Sequence, residues 1–135
     1  MKKWTVVIAA ALALCLGLNA HAQNKGDFDV FIPIAKYIRL GDAEKLSAWF
    51  ADNLEVTVFS NTNDTSRNQA RQIVKSFFDS YKPSSFNIEH TAGRSNMKYA
   101  LGHLKAGGEV FEVTIFVSIK DQTYKIQQLK IAKSD

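Results

Sequence analysis

Between Phe86 and Ile131 the chain falls into segments in which apolar side chains alternate with period two, and that period restricts them to strands with one apolar face. Met97, Tyr99, Leu101 and His103 share one parity; Phe111, Val113, Ile115, Val117 and Ile119 share the next. A three-residue turn at Ala106-Gly107-Gly108, pairing Lys105 with Glu109, puts both sets on the same side of an antiparallel sheet. A two-residue turn at Gly107-Gly108 would oppose them, so the longer turn is expected. The preceding strand joins the same face through Phe86, Ile88 and His90 if Arg94-Ser95 turns the chain and pairs Gly93 with Asn96. His90 then faces Tyr99, while Glu89 and Glu112 have the opposite parity. In the last strand Tyr124 and Ile126 differ in parity from Leu129 and Ile131, and a bulge at Gln127-Gln128 restores a single apolar face. Bulges bend sheets, which points to a cone with an interior cavity.

The residues before the strands carry helical spacing. Phe31, Ile34, Tyr37 and Ile38 form the stripe of a first helix ended by Gly41. Asp42 can cap a short second helix in which Leu46, Trp49 and Phe50 share a face until Asn53. A third begins at Ser66, with Gln69 at capping-box spacing; Ala70, Ile73, Val74, Phe77, Phe78 and Tyr81 form its stripe, and Lys82-Pro83 stops it. A short strand around Glu55–Phe59 and a polar loop over Asn61–Thr65 fill the gap between the second and third helices.

The N-terminus decides the compartment. Lys2 and Lys3, an apolar run from Val6 to Leu18, and Ala20-His21-Ala22 make a signal peptide over residues 1–22, leaving 23–135 as a single domain. The thirteen apolar residues would span only ~20 Å as a helix, short of the ~30 Å of hydrocarbon in a bilayer. Leu14 is too large to precede a lipidated Cys15. The mature protein is therefore expected outside the cytoplasm, in the periplasm or beyond the cell, with no membrane span. Cys15 is the chain's one cysteine, so neither a disulfide nor a thiol nucleophile survives cleavage. Losing Lys2 and Lys3 lowers the net charge from +4 to +2, and the remaining basic residues are interspersed with acids. No nucleic-acid stripe results.

Helices followed by an antiparallel meander resemble the nuclear-transport-factor-2-like superfamily, the cystatin-like cone fold. Within it, FFDSYKPSSFNIEH, KYALGHL and YKIQQLKI in the stretch Arg71–Ile131 are similar to a domain-of-unknown-function group of small secreted bacterial proteins. The resemblance implies an α+β fold in which three N-terminal helices pack on a strongly bent antiparallel sheet. It also implies a choice of functions, since superfamily members include isomerases, dehydratases, hydrolases, transport adaptors and ligand binders.

The residues themselves favour binding. Phe77, Phe78 and Tyr81, with His90, Tyr99 and His103 and with Ile115, Val117 and Gln128, are the expected lining of the cone, and suit a small apolar ligand. The same side chains could instead fill the interior by close packing. On the outer face Leu104, Val110 and Phe116 stand among Lys98, Glu112, Thr114 and Ser118, a candidate interface for a homodimer. No catalytic residue, cofactor or metal is expected: His90 and His103 fall roughly 13 Å apart along the hairpin. The alternative is a cofactor-independent lyase or isomerase with His90 as cavity base and Tyr99 as donor.

Overall fold

Gly41 takes φ +68° and closes the first helix as its spacing predicts. In the computed structural model, which describes residues 27–134, helix α1 spans Phe31–Leu40 and buries Phe31, Ile34 and Ile38. The Gly41 N–H donates to Ile38 O and the Asp42 N–H to Tyr37 O, the paired bonds of a Schellman cap. The expected signal peptide, with Cys15, lies outside the described residues.

Asp42 caps helix α2, Ala43–Ser47, by accepting from the Lys45 N–H at 3.0 Å. This helix is shorter than its apolar spacing suggests. The Ile126 N–H donates to Trp49 O, and Phe50 begins a strand instead of extending the helical face. Strand β1, Phe50–Val58, therefore starts five residues before the expected one and buries Phe50, Leu54 and Val56.

The polar segment expected as a loop is strand β2, Asn61–Ser66. It pairs antiparallel with β1 from Val58↔Asn61 to Asn53↔Ser66, across a turn in which Phe59 has φ +60°. Its side chains are almost all exposed, so backbone pairing at a sheet edge carries it and no apolar pattern announces it. Ser66 then accepts from the Gln69 N–H and starts helix α3, Arg67–Ser80, which buries Ala70, Val74, Phe77 and Phe78. Ile73 is half-buried, and Tyr81 leaves the helix in an extended conformation.

Strands β3 (Pro83–Gly93), β4 (Met97–Ala106), β5 (Glu109–Lys120) and β6 (Thr123–Lys133) form the antiparallel meander. The six strands run in the order β2-β1-β6-β5-β4-β3, with β1 parallel to β6. Helix α1 packs against β3 and α3 against β1, so one sheet face is covered.

Two hairpins depart from expectation, and together they reverse the face of β4. Ala106 pairs with Glu109 around a two-residue Gly107-Gly108 turn whose φ values are +58° and +80°. Paired left-handed residues match the right-handed twist of the strands, which a longer turn would not exploit as well. Leu104 then opposes Phe111, and Ala100 opposes Ile115, inside the core. Tyr99, Leu101 and His103 face outward.

At the other end of β4 the turn centres on Ser95-Asn96, with the Arg94 N–H donating to Met97 O, and Gly93 pairs with Lys98. A bulge between Ile88 and His90 makes Glu89 an extra residue. Phe86 consequently points inward opposite Leu104, while His90 sits outward opposite Leu101. The expected bulge in β6 is present: Phe116 pairs with Gln128 but Val117 with Ile126, leaving Gln127 unpaired. Ile126, Leu129 and Ile131 are all buried as a result.

Candidate functional site

An open groove of about 790 Å³ lies between α1 and β3. Its position follows from the fold at the sheet edge. Helix α1 commits Phe31 and Ile34 to the core and leaves Ile32 64% exposed beside the groove. Across from it β3 contributes Phe86, Ile88 and Thr91, and no further strand covers that edge among the described residues. Phe28, half-buried ahead of α1, forms one end. Apolar walls with Asp29, Asn87 and Thr91 as the polar groups suit binding more than acid–base chemistry.

Phe28 also walls a second pocket of about 260 Å³ that contains Lys98. The reversed parity of β4 directs Lys98 inward, opposite Val117, although its outward alternation with Leu104 is what the strand pattern suggests. Lys98 is only 5% exposed. Its Nζ donates to Arg94 O at 3.0 Å and lies 5.2 Å from the ring centroid of Phe28 and 5.5 Å from that of Tyr124. The Tyr124 hydroxyl in turn donates to Ser95 O, which ties the hairpin tip to β6. Two turn lengths hid this lysine from sequence reasoning, and a Gly-Gly pair read as a two-residue turn was the signal that could have found it.

The residues expected to line a central cavity do not meet in one. Phe77, Phe78, Ile115 and Val117 are buried in the core. Phe77, Tyr81, Phe111 and Phe59 form an aromatic cluster with centroid separations between 5.0 and 6.2 Å, filling the end of the interior. His90, Tyr99 and His103 stand on the outer face because of the β3 bulge and the short glycine turn. There the His90 and Tyr99 rings meet edge-on at 5.9 Å. Glu89 is on the outer side that its parity predicts, where its Oε1 lies 2.9 Å from His103 Nδ1. Gln128 is exposed and donates to Glu55 Oε1. Neither histidine borders the groove, so the pairing of His90 and Tyr99 as an enclosed base and donor has no counterpart in this geometry. Among the described residues no group of three or more His, Cys, Asp or Glu could hold a metal.

The candidate interface is divided as well. Leu104 is fully buried, because the short turn moves it to the core face. Val110 remains 39% exposed, and Phe116 is half-buried on the outer face directly opposite Tyr99. The apolar outer cluster is thus Phe116 with Tyr99 and Leu101. No helix among the described residues is long and apolar enough to cross a membrane.

This architecture has known counterparts. A DUF4783 family protein from Bacteroides uniformis superposes with a TM-score of 0.74 at 22% identity, over 76% of this chain and 95% of that one. A domain of unknown function with a cystatin-like fold from Nostoc punctiforme matches with a TM-score of 0.63 at 11% identity, covering 85% of this chain and 77% of its own. An NTF2-like protein of unknown function from Cytophaga hutchinsonii gives 0.59 at 6% identity, over 80% and 89% of the two chains. No curated protein matches the chain in sequence. The fold is therefore α+β of the nuclear-transport-factor-2-like, cystatin-like kind. Residues 31–132, from the first turn of α1 almost to the end of β6, match the model of the domain of unknown function DUF4783, and the chain belongs to that family.

Proposed function

We propose that the protein is an exported, non-catalytic binding module that takes a small apolar ligand in the groove between α1 and β3 and self-associates through its outer sheet face. The observation that carries the proposal is the groove: about 790 Å³, walled by Phe31, Phe86 and Ile88, with Ile32 left in solvent at its rim. Small-molecule sites have this makeup, and their volumes commonly run from ~300 to ~1,000 Å³. Export is supported by the signal pattern of residues 1–22. The bulges at Glu89 and Gln127 favour a bent sheet under the three helices, the cone that such a module would use.

Self-association is supported by a separate feature. Phe116, Tyr99 and Leu101 adjoin one another on a face that no helix among the described residues covers, and contiguous outer aromatics suit a second sheet better than water.

Native mass spectrometry of the protein purified from its own envelope fraction tests the ligand. An additional small mass that departs on collisional heating, and that is lost in Ile32→Asp, is the expected result. A bare protein in both spectra would remove the groove as a ligand site.

A further inference from the structure

We propose that the ligand is an anionic amphiphile, a fatty-acid-like molecule whose carboxylate is held by Lys98 while its chain lies in the α1–β3 groove. The proposal rests on the groove being a binding site and adds the chemistry of the head group. An ammonium has three donors and no acceptor. At Lys98 one donor goes to Arg94 O, and Nζ lies over the rings of Phe28 and Tyr124. Among the described residues no carboxylate lies within ion-pair distance of this buried cation. A carboxylate reaching it would add the opposite charge, and further charge-assisted hydrogen bonds, to the one bond that Arg94 O accepts.

Charge and position both suit such a head group. Lys98 and Arg94 share the small pocket with a single acid, the exposed Asp27, whereas the groove walls are apolar. Phe28 is common to the two spaces: it lines the 790 Å³ groove on one side and the 260 Å³ Lys98 pocket on the other. The proposal requires this one half-buried ring to move aside, so that the cationic pocket meets the apolar groove. A neutral apolar ligand would use the groove and gain nothing from Lys98. A small hydrophilic anion would use Lys98 and gain nothing from Ile32, Phe86 or Ile88.

The test compares cis-parinaric acid, a fluorescent polyene fatty acid, with its uncharged methyl ester on the purified full chain. The acid is expected to bind about tenfold tighter than the ester, the scale of a charge-assisted hydrogen bond. Lys98→Met should bring the two affinities together, and Lys98→Arg should keep them apart. Equal affinities in the unaltered protein would overturn the head-group site and leave the groove standing, a comparison that needs no variant to fold. Binding of neither probe would overturn the groove and this inference with it.

Discussion

The ring of Phe86 lies across Gly102 so closely that a β-carbon at position 102 would stand 2.9 Å from its Cε1 and Cζ. Phe86 also walls the α1–β3 groove, so the missing side chain on β4 is what seats an aromatic ring on the edge strand beside it.

Gly102→Ala should therefore destabilise the protein by about 1–3 kcal/mol, the usual cost of overpacking. The new methyl would also meet Asn87 O at 2.6 Å, and a backbone oxygen cannot rotate away. Urea unfolding should show a lower midpoint with an unchanged slope. An unchanged midpoint would mean that β3 shifts freely, and that the groove wall is not set by this contact.

The glycine turn makes a paired prediction. Gly107 and Gly108 both have positive φ, but a β-carbon on Gly107 would lie 3.0 Å from Tyr81 Cα while one on Gly108 meets nothing within 4 Å. Each alanine pays for the left-handed conformation, about 1 kcal/mol. Gly107→Ala should cost at least about 1 kcal/mol more than Gly108→Ala, because it adds a steric conflict to the same strain. Equal losses in thermal unfolding would separate Tyr81 from the turn.

Phe116 reports on assembly. Phe116→Asp places a charge in the outer cluster with Tyr99 and Leu101, and a native mass that falls from dimer to monomer is expected. The fold should persist, since the side chain is half-buried on the face away from the core. A monomer in both proteins would end the assignment of that face as an interface.

The end of α1 and the starts of α2 and α3 were legible because their signals are local. Ser66 with Gln69, Asp42 with Lys45 and Gly41 after Ile38 each act within a turn of backbone, and each makes the hydrogen bond its spacing implies. The bulge at Gln127 was also readable, since it is the one change that gathers Ile126, Leu129 and Ile131 on one face. Strand β2 was not, because an exposed edge strand needs backbone partners and no apolar alternation.

From its own local patterns the sequence determined the helices, the meander order and the β6 bulge, and with them the α+β class. Which face of β4 looks inward was decided only in three dimensions. Local hydrophobicity favours Tyr99, Leu101 and His103 for the core, but the pairing turns Ala100, Gly102 and Leu104 inward, and at position 102 even a β-carbon would stand 2.9 Å from the Phe86 ring. Packing selects by volume as well as by polarity, and here it left Tyr99, Leu101 and His103 outside. The register of β4 carried Lys98 inward and His103 outward, and the β3 bulge turned His90 outward, so strand pairing decided which polar side chains stand near the groove.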